Sequence, residues 1–348
     1  MPRRAGSGAV RDVPEPVLSD GEVLIDVVRV GLCGTDADIE RGEYGSAPEG
    51  SELLVLGHES FGRVARDAGS LKAGTPVVAS VRRPDGCPNC LRGEQDMCLW
   101  GGYRERGING FHGFCAQRFA ERPEYLFVVP EAIADVAVLL EPLTISEKGW
   151  RHLGAAQRRM TEWQPRTAIV AGGGPVGILA ALKLRLEGLD VTVVERQPKP
   201  QKEALLARIG AGYAATNVTP LATVAAPLKR IDVVIEATGN SAVAFECMRL
   251  VGRNGAVLLT SVTGGNRTLD VPADVINQNV VLGNVLVLGI VNAKSDDFRN
   301  GIADLFAAER RWPGFLAALI TQRVPLADAA GALRHDPSQI KTVVEVAR

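Results

Sequence analysis

The chain has 348 residues, a length that suggests about two domains, and its composition is ordinary for a soluble protein. Its 39 lysines and arginines balance 40 acidic residues to a net charge of −1 without a basic block, so nothing indicates a nucleic acid or an anionic membrane as partner. No run of about eighteen apolar residues is present, so we expect no membrane span. The N-terminal segment MPRRAGSGAV lacks the apolar core of a secretory signal. This predicts a cytoplasmic protein whose six cysteines are thiols or metal ligands.

The first part of the chain predicts a β-rich domain, because short apolar runs alternate with Gly and Pro. The predicted strands lie within residues 1–30 (above all 22–30), at 53–65 on both sides of a Gly-His-Glu turn, at 75–81 and at 120–130. Residues 82–116 hold four of the six cysteines and few apolar runs, which indicates a lobe or loop. A helix is expected from Val136 towards Leu153, with a break near Pro142.

From Thr167 onward the pattern alternates between strands and helices, which is typical of a parallel sheet. The predicted strands are 167–171, 191–195, 231–236, 256–260 and 285–289, and the predicted helices are 176–187, 202–209 and 242–251. A last strand at 341–346 is expected to return to the first domain.

A glycine pattern, Gly172-x-Gly174-x-x-Gly177, stands between the first of these strands and the helix that follows. In a dinucleotide-binding unit one such glycine allows a tight turn, one lets the backbone approach a pyrophosphate, and one lets helix and strand pack closely. The N-terminus of the helix offers free N–H groups to the phosphates. Glu195 ends the next strand about 20 residues later, where a carboxylate can bind the adenosine ribose hydroxyls.

Three separate segments carry groups that could form a catalytic zinc site: Cys33-Gly34-Thr35-Asp36, Gly57-His58-Glu59 and Glu141-Pro142-Leu143. Such a site takes three protein ligands and leaves a fourth position open for water or a substrate oxygen. Taken singly, each group has an ordinary structural explanation, such as a small buried cysteine, a hydrogen-bonded histidine or a glutamate that ends a helix.

These motifs in this order, followed by GGGPVG, resemble the zinc-containing medium-chain alcohol and polyol dehydrogenases. Further segments are similar to the glucose dehydrogenase branch first known from archaea: LLVLGHESFG, RRPDGCPNCLRGEQDMC, ERGINGFHGF, EPLTISEKG and VLGNVLVLGIVNAKSDDF. The resemblance covers nearly the whole chain. It implies an α/β protein with a GroES-like, β-rich zinc domain over 1–150, completed by about 306–348. A Rossmann domain with a doubly wound parallel sheet is implied over 151–305, with the cofactor in the cleft between the two.

The resemblance also implies roles for single residues. Cys33, His58 and Glu141 would be zinc ligands, and Glu59 a ligand or a carboxylate just behind them. Thr35 would hydrogen-bond the reacting oxygen and begin a proton relay. The implied substrate contacts are Thr35, Glu105, Glu141 and Asn292. The implied cofactor contacts are Gly172, Gly174, Pro175, Val176, Gly177, Glu195, Arg196, Thr238 and Asn292.

The cysteine lobe departs from the family pattern. Relatives with a structural zinc carry four cysteines there, whereas this chain has Cys87, Cys90 and Cys98, with Asp85 near the place of the first. Three thiolates and one carboxylate could bind zinc, and without metal the cysteines would be free thiols. Five other residues are expected to have structural roles only: Cys115, Cys247, His112, His152 and His335.

The expected function is zinc-dependent hydride transfer between a sugar or polyol hydroxyl, first of all of a glucose-like aldose, and NAD(P). A cyclitol or amino-sugar dehydrogenase with the same machinery is an alternative, and a non-catalytic NAD-binding protein is a weaker one, because Cys33 and His58 are both present. Glu195 favours NAD, since a carboxylate repels a 2′-phosphate, but Arg196 could pair with one, so NADP remains an alternative. The family resemblance further implies a homodimer or homotetramer.

Overall fold

The computed structural model describes residues 1–264, 266–334, 336 and 338–346, so His335 lies outside the described residues. The chain forms two compact units: Met1–Thr144 with Asn292–Glu309 and Leu316–Arg348, and Ile145–Val291 with Arg310–Phe315. The domain limits predicted from the sequence stay a prediction, because a compact unit is defined by contacts and a domain by its capacity to fold alone. Within the described part of the chain, no helix has both the length and the apolar character needed to cross a membrane.

The strands are β1 Val23–Leu32, β2 Glu59–Val64, β3 Pro76–Ala79, β4 Arg82–Arg83, β5 Arg104–Arg106, β6 Gly110–Phe111, β7 Arg118–Glu121, β8 Leu126–Val128, β9 Thr167–Ala171, β10 Asp190–Glu195, β11 Gly212–Ala215, β12 Val233–Glu236, β13 Ala256–Leu259, β14 Leu286–Gly289, β15 Ile320–Pro325 and β16 Lys341–Glu345. The α-helices are α1 Gly34–Glu40, α2 Leu140–Gln157, α3 Pro175–Leu186, α4 Pro200–Arg208, α5 Leu221–Ala225, α6 Ser241–Leu250, α7 Ala273–Leu282, α8 Ser295–Arg311, α9 Phe315–Leu319 and α10 Ala329–Ala332. Short 3₁₀ helices occupy Cys90–Arg92, Gln95–Met97, Pro123–Tyr125, Glu131–Leu139 and Leu326–Asp328.

The first unit is built on a mainly antiparallel sheet in the order β15-β16-β1-β2-β3-β8, with β7 also paired to β1. Side chains of β1 alternate between buried and half-buried along its first half, as expected when one face of a sheet covers a core. The core on that face contains Val23, Ile25, Val27, Val64, Val77, Phe114 and Phe119. The last strand, β16, pairs with β1 and confirms the predicted return to the first domain.

The second unit contains a parallel sheet in the order β11-β10-β9-β12-β13-β14. Counted from β9 as the first strand, this is the 3-2-1-4-5-6 order of a doubly wound dinucleotide-binding sheet. Strand β9 is almost fully buried and lies at the centre, between β10 and β12. The order changes direction beside β9, and the glycine turn follows its carboxyl end, where ligands of such sheets bind.

Some predicted elements were wrong, for reasons that lie in distant partners. Residues 53–57 form no strand, because their backbone bonds to a loop instead: Val55 N–H donates to His112 Nδ1 at 3.2 Å, and the Gly113 N–H donates to Val55 O at 2.7 Å. The helix does not break at Pro142, which lies in the first turn of α2, where a missing N–H costs no hydrogen bond. No strand occurs in residues 1–22.

A buried ionic cluster ties the short strands of the first unit together. The Glu121 carboxylate at the end of β7 pairs with Arg83 of β4 and with Arg106 of β5, and all three side chains are at most 6% exposed. The guanidinium of Arg83 lies 4.0 Å from the Tyr125 ring centre, and that of Arg106 lies 3.8 Å from the Phe111 ring centre. One carboxylate therefore compensates two buried cations.

We expect Glu121→Ala to lower the free energy of unfolding by about 3–5 kcal/mol, because it leaves two guanidinium groups buried without an anion. Glu131→Ala is the matched control. It breaks an exposed pair with Arg63 and should cost about 0–1 kcal/mol. Urea unfolding of the two variants measures the difference, and equal losses would contradict the burial argument.

Candidate active site

Cys33 and His58 meet at the end of β1. Cys33 is the N-cap of α1: its Sγ accepts the Thr35 N–H at 3.3 Å, and its own N–H donates to the Asp36 carboxylate at 2.9 Å. The same Sγ lies 3.3 Å from Nε2 of His58. The capping interactions thus fix the thiol on one side of the imidazole, with Thr35 in the first turn of the same helix.

Asp36 backs the imidazole from the other side. Its carboxylate is fully buried, accepts the Gly57 N–H at 3.0 Å, and lies 4.0 Å from His58 Nδ1. Burial lowers the pKa of His58, but the neighbouring Cys33, Asp36 and Glu141 raise it by more, so the pKa is well above its usual value. A carboxylate behind one ring nitrogen leaves the other free to face a metal ion, which is the usual arrangement of a metal-binding histidine.

Glu59 completes a close group with Cys33 and His58, whose ligand atoms all lie within 4.8 Å of one another. A thiolate, an imidazole and a carboxylate at this separation are the ligand types of catalytic zinc, so the residues fit that ion. Glu59 also forms a buried ion pair with Lys341, the first residue of β16, which donates to Leu32 O at 2.9 Å. Burial lowers the pKa of Lys341, and Glu59 above all raises it, with a rise as the net result.

Glu141 lies in the first turn of α2 and is 9% exposed. It is outside the close group of Cys33, His58 and Glu59, but charged residues of that group shift its pKa. Burial raises its pKa to about 7, with His58 and Lys341 lowering it and Glu59 and Glu105 raising it. A divalent cation among these groups would favour the ionised carboxylate.

Glu105 and Asn292, which the family resemblance predicts as sugar contacts, lie together in the first unit. The Asn292 amide donates to Glu105 Oε1 at 3.0 Å, and both residues are under 10% exposed. Arg82 donates to the same oxygen through Nε at 3.1 Å, and its Cζ lies over the Tyr103 ring, 3.6 Å from the ring centre. The carboxylate is therefore held by one oxygen, and its other oxygen can accept from a bound hydroxyl.

The cysteine lobe also gathers its four predicted ligands. Asp85, Cys87, Cys90 and Cys98 offer ligand atoms that all lie within 4.8 Å of one another. Cys98 Sγ donates to Asp85 Oδ2 at 2.9 Å, and this contact and the Cys87 N–H hold the pKa of Asp85 well below its usual range. Three sulfurs and one carboxylate oxygen at this separation suit a tetrahedral zinc ion.

The glycine turn after β9 has no room for a side chain at Gly172 or at Gly177. Gly172 has φ +110°, and a Cβ there would lie 2.5 Å from Ala237 O. A Cβ on Gly177 would lie 1.8 Å from Gly172 O, so the first turn of α3 packs directly on the loop. Helix α3 begins at Pro175 with Gly174 as its N-cap and no side-chain cap, which leaves N–H groups free for phosphate.

Glu195 lies beside this turn and already has protein partners. Its Oε1 is 2.7 Å from Lys202 Nζ, and its Oε2 accepts the Tyr213 hydroxyl at 3.2 Å. The predicted cofactor residue Arg196 follows it and is exposed. Thr238, also predicted, donates its N–H to Glu236 Oε1 at 2.7 Å, and Ser261 donates its hydroxyl to the other oxygen of that carboxylate.

Sequence reasoning assigned no role to several of these partners: Asp36, Arg82, Lys202, Tyr213, Glu236 and Lys341. Asp36 could have been found, since its carboxylate stands three residues after Cys33, at the spacing of a capping box. The others carry no local signal, because each becomes informative only when the fold brings its partner close.

Two family models match the chain. The one described as "Glucose dehydrogenase C-terminus" matches residues 134–346, more than half of the chain, and the one described as "Alcohol dehydrogenase GroES-like domain" matches residues 19–131. The glucose 1-dehydrogenase of Methanocella arvoryzae is 41% identical over 351 residues, which cover 99% of this chain and 98% of the relative. The glucose 1-dehydrogenase of Halobacterium salinarum is 35% identical, and the match covers 96% of this chain and 94% of the relative.

The chain also resembles a solved structure over its whole length. The glucose dehydrogenase of Haloferax mediterranei, in complex with NADP, Zn and gluconolactone, matches with a TM-score of 0.90 at 30% identity. The match covers 99% of this chain and 98% of that chain. It confirms the predicted combination of a GroES-like domain with a Rossmann-type parallel sheet.

We expect the purified chain to hold about two zinc ions. One would lie at Cys33, His58 and Glu59, and the other at Asp85, Cys87, Cys90 and Cys98. Cys98→Ala should remove about one of them and leave the other, and His58→Ala should do the converse, because the groups share no ligand. Elemental analysis after dialysis measures the ratio of zinc to protein. Cys247→Ser is the control, since this buried cysteine belongs to neither group. A Cys98→Ala variant with unchanged zinc would contradict metal binding in the lobe.

Proposed function

Because the chain belongs to the glucose dehydrogenase family of zinc-dependent medium-chain dehydrogenases, we propose that it oxidises the anomeric hydroxyl of a glucose-like aldose with NAD(P). The predicted family, fold class and enzyme class are confirmed. The observation that carries the substrate proposal is the position of Glu105. This buried carboxylate accepts a hydrogen bond from Asn292. It also raises the pKa of Glu141, a pKa that His58 and Glu59 of the close group shift as well.

The proposed mechanism assigns one task to each group. Cys33, His58 and Glu59 of the close group would hold the zinc ion, with Glu141 as the further predicted carboxylate ligand. When bound, zinc acts as a Lewis acid that lowers the pKa of a hydroxyl group. The Asp36 carboxylate, 4.0 Å from His58 Nδ1, would favour a proton on that nitrogen and so leave Nε2 for the metal side. Thr35 would accept a hydrogen bond from the reacting hydroxyl and begin to carry its proton away.

Recognition of the sugar would rest on Glu105 and Asn292. A buried carboxylate and a buried amide favour a ligand with several hydroxyl groups, because a simple alcohol would leave them without partners. Arg82 would act through Glu105, since its guanidinium bonds to Oε1 and so fixes the direction of Oε2. A cyclitol or an amino sugar would satisfy the same groups and remains the second candidate substrate class.

For the cofactor we propose NAD as the preferred dinucleotide, with NADP accepted as well. Glu195 at the carboxyl end of β10 supports NAD, because it can accept from ribose hydroxyls. The relative from Haloferax was solved with NADP, which supports acceptance of the phosphorylated form.

The six cysteines are free in the structure, which supports the proposed cytoplasmic location.

A homodimer is proposed through β14. This strand is at the edge of the parallel sheet, so its outer N–H and C=O groups can pair with another strand. The apolar side chains of Val287, on this strand, and Val291, two residues after it, are 38% and 54% exposed. An uncharged edge with exposed valines is suited to pairing with a second copy of itself.

We expect Glu105→Gln to lower kcat/KM for glucose by about 100-fold, because charge-assisted hydrogen bonds to the sugar are lost. Turnover of a short alcohol should change little, since that substrate makes no such contacts. Initial rates over a panel of aldoses, cyclitols and simple alcohols provide the measurement, with Glu124→Gln, an exposed carboxylate of the same unit, as control. If only simple alcohols react, the sugar assignment is wrong.

Val287→Lys should convert the dimer to monomers, because a lysine on an edge strand opposes pairing with a like strand. Val218→Lys is the matched control, since Val218 is 69% exposed in the same unit but lies outside the sheet. Light scattering during gel filtration gives the mass of each variant. A monomeric wild type, or a Val287→Lys variant of unchanged mass, would refute the proposed interface.

A further inference from the structure

We propose that Lys202 determines cofactor choice: paired with Glu195 it leaves a site for the NAD ribose, and released from Glu195 it binds the 2′-phosphate of NADP. The inference rests on the proposed function and concerns the adenosine end of the same dinucleotide site. It makes the Glu195–Lys202 pair, rather than Glu195 alone, the element that sets specificity.

The pair is unusual for its burial. Lys202 is in the first turn of α4, where a lysine would ordinarily extend into solvent, yet it is 5% exposed. Its Nζ lies 2.7 Å from Glu195 Oε1, and this is the ion pair that compensates the buried ammonium. The exposed fraction of the Glu195 side chain is 16%, so the carboxylate is at the surface edge of the pair and can move outward.

The position of the pair is that of the adenosine ribose. A Cβ on Gly173, inside the glycine turn, would lie 2.5 Å from the Glu195 carboxyl carbon, so the carboxylate touches the phosphate-binding loop. In doubly wound sheets the ribose hydroxyls meet the acid at the end of the second strand of the unit, which here is β10. A phosphate on the 2′ oxygen would therefore meet Glu195 and the groups behind it.

Tyr213 adds a neutral donor to the same place. Its hydroxyl lies 3.2 Å from Glu195 Oε2 and 3.0 Å from the Gln197 carbonyl oxygen. Burial and the neighbouring Glu195 raise the pKa of Tyr213 to about 12, so the hydroxyl stays protonated and can donate. An ammonium and a hydroxyl converge on one carboxylate, and a phosphate oxygen could take the place of that carboxylate.

The charge balance explains how one site can accept both cofactors. A lone carboxylate would repel the 2′-phosphate, which carries nearly two negative charges at neutral pH. With Lys202 behind it, outward rotation of Glu195 exchanges one anionic partner of the ammonium for another, and Arg196 on the exposed side can add a second cation. With NAD, Glu195 keeps its lysine and still has lone pairs for the ribose hydroxyls.

The test is direct titration of the purified protein with NADH and with NADPH, followed by nucleotide fluorescence in the absence of sugar. Lys202→Met should weaken NADPH binding by about 10- to 100-fold and NADH binding by no more than about 3-fold, because the ammonium contacts only the phosphate. Glu195→Gln should strengthen NADPH binding. Lys229→Met, an exposed lysine of the same unit, is the control.

The double variant Glu195→Gln/Lys202→Met removes both charges, so it tests the role of Lys202 without a buried unpaired carboxylate. It should lack the gain in NADPH affinity that Glu195→Gln shows alone. Equal loss of NADH and NADPH in Lys202→Met would assign the lysine a structural role and overturn the proposal, as would a double variant that keeps the gain. A wild type that binds the dinucleotides but oxidises no sugar would refute the proposed function only.

Discussion

The buried ion pair between Lys341 and Glu59 is the contact on which the first unit depends. It joins β16, from the end of the chain, to β2, and Lys341 also bonds to the Leu32 carbonyl just before Cys33. The two side chains pass over Gly31, where a Cβ would lie 2.0 Å from Glu59 Oε2, so a side chain there would displace the ion pair. Removing one partner would leave a charge buried beside the metal group, which is far more costly than the pair itself. The position of the C-terminal strand and the arrangement of the proposed metal ligands therefore depend on the same ion pair.

The same solution recurs at three other buried or half-buried carboxylates. Glu121 compensates two arginines between short strands, Arg82 holds Glu105 beside Asn292, and Lys202 holds Glu195. In each case a carboxylate is fixed by a cation on one side, and a fixed carboxylate has a defined direction for its remaining lone pairs. Where those lone pairs face the core, the result is stability. Where they face a ligand, the result is specificity, because a rigid acceptor penalises a ligand that cannot pair with it.

The sequence predicted what is local and missed what is distant. Strand β9, the glycine turn, helix α3 and strand β10 follow one another in the chain, and each was predicted because strand, turn and helix patterns depend on near neighbours. The residue types of Cys33, His58 and Glu141 suggested a zinc site, but only the family resemblance favoured it over separate structural roles, since these residues are far apart in sequence. The strand expected at 53–57 is absent because the loop at 112–115 supplies its hydrogen-bond partners. No pattern in residues 53–57 encodes that loop.

Cofactor choice shows that one contact made in the folded chain can change the function that a sequence motif indicates. Glu195 at the end of β10 is the standard sign of a ribose-binding acid, and taken alone it argues against a 2′-phosphate. Lys202, in the first turn of the next helix, has the pattern of an ordinary surface lysine in the sequence. In the folded chain Lys202 is buried and compensates the charge of Glu195. The repulsion between Glu195 and the 2′-phosphate of NADP is therefore weaker. We therefore attribute cofactor specificity at this site to the Glu195–Lys202 ion pair and not to Glu195 alone.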